Sequence, residues 1–183
     1  FISRLDGFIL ELEDELMNFR DVEYKGHVLT EGEIIRLFYF KFSEIPLLSR
    51  MEAVEEYFID QVETLRGRDL SEEEREELTE KFQSMYGVRD FYVLYSRFLD
   101  REGYDPLPKK PLEKRSLKYE DVYPLLYLKH NLIRCREHRE IRHLVVDEMQ
   151  DYSWVQYLLL KKLFPCRMTI LGDKAQTMEE NRQ

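Results

Sequence analysis

A mainly helical chain with a C-terminal α/β part is what these 183 residues predict. Three observations carry that expectation. Apolar residues recur at helical steps of three and four from Ile2 to Phe98, and seven glycines and six prolines are too few for a turn-rich β fold. Residues 141–178 follow the order strand, helix, strand: the apolar run Leu144-Val145-Val146, an apolar stretch Trp154–Phe164 at helical spacing, and a second run from Met168 to Leu171. Between the two regions, Pro106, Pro108 and Pro111 interrupt any helix. The division expected is a helical arm over 1–104, a linker over 105–118 and the α/β part over 119–183.

In chain order, Ile2, Leu5, Ile9, Leu12 and Leu16 form the stripe of a first helix, read as a packed seam. Lys25-Gly26 is a turn signal inside a short extended piece, Asp21–Leu29. Thr30 with Glu33 reads as a capping box opening a helix with Phe38, Phe40 and Phe42. After a turn at Ser43–Pro46, Leu47, Met51, Val54, Phe58 and Val62 share one face of a long helix ending near Gly67. Ser71 with Glu74 opens another helix, expected to stop near Gly87. Phe91, Leu94, Tyr95 and Phe98 mark a further amphipathic helix. That aromatic stripe could stack nucleic-acid bases, but acidic surroundings favour core packing. Glu120–Ile133 resumes as a helix with Val122, Leu125, Leu126 and Leu132 facing inward, and Asp151 or Ser153 caps the helix between the two strands.

Composition excludes several classes. Hydrophobic residues make up 43% and charged residues 36%, a globular balance. No apolar run reaches the roughly 20 residues that span a bilayer, and no signal peptide is evident, so a cytoplasmic, membrane-free setting is expected. Cys135 and Cys166 lack metal-ligand spacing and read as reduced thiols; none of His27, His130, His138 and His143 forms a ligand pair. The net charge of −9 is uneven: residues 1–103 hold 13 basic and 25 acidic side chains, residues 104–183 hold 15 and 12. The acidic arm is either a solvated helical face or a surface that docks on a basic protein. Lys109, Lys110, Lys114 and Arg115 keep the linker solvated, or contact phosphate.

The chemistry concentrates where the two C-terminal runs end. Leu144-Val145-Val146 runs straight into Asp147-Glu148, and the second run into Gly172-Asp173, with Gln176 three residues on. Apolar runs meeting acids at once suit buried parallel strands with ligands at their carboxyl edge. An aspartate there can hold hydrated magnesium on nucleotide phosphates, and a neighbouring glutamate can deprotonate the attacking water. A glutamine at the adjacent tip can donate its amide to a terminal phosphate. Alone, the pair is also an ordinary strand-to-loop transition; the joint pattern gives it weight.

LVVDEMQDYS resembles motif II, the Walker B element, of the UvrD/Rep-like superfamily 1 helicases, and ILGDKAQTM resembles their motif III. The resemblance implies a partial RecA-like (P-loop NTPase) parallel sheet. It implies Mg-ATP coordination by Asp147, water activation by Glu148 and coupling by Gln150 and Asp151. It also implies a γ-phosphate contact by Gln176, with Asp173 in the nucleotide-binding set. DVYPLLYLKHNL and the helical region before it look most like the HelD-type enzymes, ATP-driven proteins associated with bacterial RNA polymerase. Two departures shape the expectation. No G-x-x-x-x-G-K-[ST] loop occurs in the 183 residues, nor do the arginine-bearing motifs of a second motor domain. The chain is therefore expected to be the middle of a longer motor whose cofactors are ATP and Mg2+, inactive by itself. The expected partners are DNA, RNA polymerase or both. A DNA helicase, or a helical interaction module with a vestigial Walker B edge, are the alternatives.

Overall fold

The computed structural model describes residues 1–172; Asp173 and Gln176 lie outside the described residues. The protein is mainly helical with two small two-stranded sheets. It divides into one unit of Phe1–Pro108 with Asn131–Arg134, and a second of Lys109–His130 with Cys135 onward.

In the first unit, α1 (Ile2–Glu15) turns Leu5, Phe8 and Leu12 inward. A hairpin follows, β1 (Val22–Tyr24) and β2 (His27–Leu29) pairing antiparallel through Lys25-Gly26. Both turn residues have positive φ (49° and 84°), the geometry that suits the right-handed twist of a two-residue hairpin. Thr30 caps α2 (Glu31–Arg36) through the expected reciprocal box: its backbone N–H donates to Glu33 Oε2 at 3.0 Å, and Glu33 N–H donates to the Thr30 hydroxyl at 3.4 Å. The helix does not simply continue through its aromatics. Leu37–Lys41 widens into a π-helical turn that buries Leu37 and Phe38 and leaves Phe40 75% exposed. An extra residue in one turn shifts the facing of every side chain after it, which a regular stripe does not anticipate.

α3 (Leu47–Arg66) buries Met51, Val54, Phe58 and Val62 and ends at Gly67, whose φ of 66° is a left-handed cap suited to glycine. Ser71 and Glu74 form the box that opens α4 (Glu72–Gln83), which stops four residues short of Gly87. Gly87 instead donates its N–H to the Leu16 carbonyl at 2.8 Å, tying the end of α4 back to α1. α5 (Phe91–Arg101) buries Leu94, Tyr95 and Phe98. The Phe98 ring packs edge-on against Phe1 at 5.3 Å and tilted against Phe8 at 5.5 Å, and Tyr95 is equally buried, so these aromatics are core and not a base-stacking surface. Each buried Phe or Leu contributes roughly 1.5–3 kcal/mol, and that burial is what holds these helices together.

Arg50, Glu55 and the Tyr86 hydroxyl are among the polar groups buried in this core. Arg50 is buried: its guanidinium donates to the carbonyls of Ile45 (3.0 Å) and Ser43 (3.1 Å), pairs with Glu13 at 2.9 Å and lies over the Phe38 ring. The buried Tyr86 hydroxyl donates to the Leu47 carbonyl at 2.5 Å and accepts from Met51 N–H at 3.1 Å, bridging the first turn of α3.

Pro106–Lys118, which passes into the second unit at Lys109, is irregular apart from a single turn at Leu112–Lys114. In α6 (Tyr119–Leu132) the buried positions are Pro124, Leu128 and Leu132, four apart, with Val122, Leu125 and Leu126 only half-buried. Leu132 is buried as expected, while Pro124 and Leu128 take the covered positions expected for Val122, Leu125 and Leu126. β3 (His143–Val146) pairs in parallel with β4 (Arg167–Ile170), Val146 opposite Ile170, and α7 (Trp154–Leu163) connects them. Ser153, not Asp151, caps α7: its N–H donates to Gln156 Oε1 at 2.7 Å and its hydroxyl accepts from Gln156 N–H at 3.3 Å. The expectation of buried strands is corrected. Only Val146 is buried, and Val145 is 60% exposed, because the two strands present open edges among the described residues.

Candidate functional site

The site expected from sequence is built where β3 and β4 end. The parallel ladder runs one step past the strands. Leu171 N–H donates to the Val146 carbonyl at 2.8 Å, and Met149 N–H returns to the Leu171 carbonyl at 3.0 Å. The loop carrying the acids is thereby fastened to the tip of the neighbouring strand. Asp147 and Glu148 are both exposed at this edge.

Local geometry separates the two acids. Asp147 Oδ1 accepts the Glu148 N–H at 2.9 Å, which fixes the first carboxylate against its own backbone. Glu148 itself adopts left-handed angles, φ 52° and ψ 42°. For a residue with a Cβ that conformation costs about 1–2 kcal/mol, so the surroundings must hold it. They do so through a tight turn, in which Asp151 N–H donates to the Glu148 carbonyl at 3.0 Å and Tyr152 N–H to the Met149 carbonyl at 3.1 Å. The Gln150 amide then donates to the Glu148 carboxylate. Asp151 stands exposed at the end of the turn.

Gly172 is a participant that the sequence reading passed over. A Cβ at Gly172 would lie 2.9 Å from Gln150 Oε1, so that side chain would have to shift, and 3.4 Å from Met149 N, an ordinary contact. The glycine after the second strand therefore leaves room for the Gln150 side chain beside it. The signal was there in Gly172-Asp173, because a glycine at a strand end often marks a close backbone approach. Of the six residues singled out, the structure brings Asp147, Glu148, Gln150 and Asp151 into one loop; Asp173 and Gln176 lie outside the described residues.

The exposed carboxylates of Asp147 and Glu148 fit a hydrated magnesium ion on a nucleotide. Among the described residues no cluster of three or more His, Cys, Asp or Glu could hold an ion, whereas exposed carboxylate oxygens suit a cation that keeps its waters. Cys135 and His130 are in side-chain contact, and burial pushes the thiol up and the imidazole down in pKa, which disfavours a thiolate–imidazolium pair. Both cysteines are free thiols.

The family description UvrD/REP helicase N-terminal domain matches residues 11–178, nearly the whole chain. The chain belongs to this family. Most of the first, helical unit thus falls within the match, as do β3, β4 and the acidic loop. No curated protein matches the chain. As a UvrD/REP-type helicase domain it belongs with superfamily 1 helicases, which in general use ATP and Mg2+ and bind nucleic acid. No helix among the described residues is long and apolar enough to cross a membrane.

Proposed function

We propose that this chain is part of an ATP-driven superfamily 1 motor of the HelD type, which couples ATP hydrolysis to remodelling of RNA polymerase–nucleic acid complexes. The observation that supports it most is the fastened pair of strand tips with exposed Asp147 and Glu148. In this reading β3 and β4 belong to a RecA-like sheet, and the exposed Val145, Ile170 and Leu171 are positions that further parallel strands would cover.

Asp147 would hold the hydrated magnesium of Mg-ATP, which when bound neutralises charge developing on the phosphates. Glu148 orients water and accepts its proton, at an angle set by its left-handed backbone and by the Gln150 amide. Gln150 and Asp151 lie between this edge and α7, placed to pass on a change at the carboxylates. Asp173 and Gln176, outside the described residues, would belong to the nucleotide-binding set by the family resemblance. The helical unit, with its acidic balance, is the arm that engages a basic protein surface; Glu52 and Asp60 on α3 are exposed in the way such docking needs.

The test uses the full-length protein carrying this chain. ATP-dependent release of nucleic acid from RNA polymerase, absent with a non-hydrolysable analogue, is the expected result. The family match also favours a DNA helicase reading. Strand displacement on a forked duplex without polymerase would replace the first reading with that one.

A further inference from the structure

The loop that carries the acids is held at two ends, and the second hold comes from α6. At the β4 end, Met149 N–H donates to the Leu171 carbonyl at 3.0 Å. At the other end stands Ser153, directly after the turn. Its N–H donates to Gln156 Oε1 at 2.7 Å, and its hydroxyl accepts the Gln156 N–H at 3.3 Å. With Oε1 turned to Ser153, the amide nitrogen of Gln156 is left to donate, and its partner is the Tyr119 hydroxyl. Tyr119 opens α6 and is hydrogen-bonded in turn to Tyr123, one helical turn on, whose ring lies edge-on to it at 5.7 Å. All of these residues belong to the second unit.

The Tyr119 residue is 73% exposed, so burial of apolar area does not explain its place. What the side chain does in the fold is to hold Gln156. A glutamine engaged at both amide atoms is kept in one orientation, and that orientation keeps the Ser153 N–H capped. Glu148 needs such a hold, because its left-handed backbone is a conformation that a residue with a Cβ leaves when its surroundings relax. The bonds that shape its turn, Asp151 N–H to the Glu148 carbonyl and Tyr152 N–H to the Met149 carbonyl, stop just before Ser153. Freeing Ser153 therefore loosens the far end of the Glu148 turn, whereas Asp147 sits before that turn, directly after β3.

We infer, resting on the proposed role of Glu148 as the base, that Tyr119 and Gln156 are positioning residues for ATP hydrolysis: from the start of α6 they hold the turn that aims the Glu148 carboxylate. They act through Ser153 and the turn. Their loss lowers the rate of the chemical step and leaves nucleotide affinity, which the proposed reading gives to Asp147, in place.

Tyr119→Phe is the sharpest test, because it removes one hydroxyl and leaves the ring and the Ser153–Gln156 box in place. In the 183-residue chain, hydrogen exchange at the Ser153 amide quickens about threefold, while far-ultraviolet circular dichroism stays parental. In the full-length protein kcat falls about fivefold, the worth of one hydrogen bond, and KM for ATP stays within about twofold. Gln156→Met, which removes both bonds, lowers kcat further. Adding Tyr119→Phe to it changes nothing more, as two residues on one line of contacts require. Parental Ser153 exchange in Tyr119→Phe overturns the inference, as does parental kcat, and so does a loss that falls on KM alone. Additive losses in the double variant overturn the connection through Gln156. Brisk hydrolysis by Glu148→Gln overturns the base and the positioning together; an inactive Glu148→Gln beside a parental Tyr119→Phe overturns the positioning alone.

Discussion

Replacing Arg50 by alanine should be among the most damaging single changes in the helical unit, and the structure says by how much. The guanidinium satisfies two carbonyls in the turn between the π-helical segment and α3, those of Ser43 and Ile45, and pairs with Glu13 while lying over Phe38. Glu13 is more than a third exposed, so the ion pair is screened and adds little by itself. The carbonyls matter more, because hydrogen bonds to a charged donor are worth about 1.5–3 kcal/mol each and a buried acceptor left unpaired costs a comparable sum. Adding the lost packing of the side chain on Phe38 gives a destabilisation of about 4 kcal/mol, a large part of a domain's roughly 5–15 kcal/mol. In urea titrations followed by far-ultraviolet circular dichroism, with a slope of about 1.5 kcal/mol per molar, the midpoint falls by roughly 2–3 M. Arg50→Lys keeps one of the three bonds and should lose about half as much. A midpoint within about 0.5 M of the parent for Arg50→Ala would refute the view that this turn depends on its guanidinium.

Three further outcomes follow from named contacts. Burial pushes the Tyr86 hydroxyl up to about 12 from an ordinary value of 10.0. The folded state therefore keeps a proton that the unfolded state releases, and stability falls as pH rises from 10 to 12, by roughly 2–3 kcal/mol at 1.36 kcal/mol per unit. Alkaline unfolding curves of Tyr86→Phe should lack that slope. Glu55 is buried, and burial raises its carboxyl above the ordinary 4.5 against the opposing hydrogen bond from the Thr79 hydroxyl. An acid raised in this way lends stability when protonated and loses it as pH climbs, so Glu55→Gln, which still accepts from Thr79, should raise the melting temperature at pH 8 more than at pH 4. Gly172→Ala should cost under about 1 kcal/mol in melting experiments, because the group its Cβ meets is the mobile end of Gln150. It should nonetheless reduce ATP turnover in the full-length protein by moving that amide off Glu148.

Much of the helical unit was legible in the sequence because its signals are local. Thr30 with Glu33 and Ser71 with Glu74 name two helix starts, and Gly67 names one end, since each satisfies backbone groups within a turn of itself. The Lys25-Gly26 hairpin is equally local. What escaped depends on register or on remote partners. The π-helical turn at Leu37–Lys41 changes facing without changing composition, so Phe40 emerged where a regular helix would have placed it otherwise. The inward face of α6 took in Pro124 and Leu128 beside Leu132, a choice that apolar spacing alone does not make. At the candidate site, the acids and their order after β3 were readable, while the left-handed Glu148 and the closeness of Gly172 to Gln150 arise from the approach of a second strand. The exposure of β3 and β4 was unreadable for a plainer reason: an apolar run states what can be buried, and neighbours decide whether it is.

In the proposed function Glu148 serves as the base for ATP hydrolysis beside a magnesium-holding Asp147. Steady-state turnover and nucleotide affinity of Glu148→Gln, measured on the full-length protein that carries this chain, address it most directly. Turnover should be abolished with ATP affinity preserved. Brisk hydrolysis by that variant would contradict it.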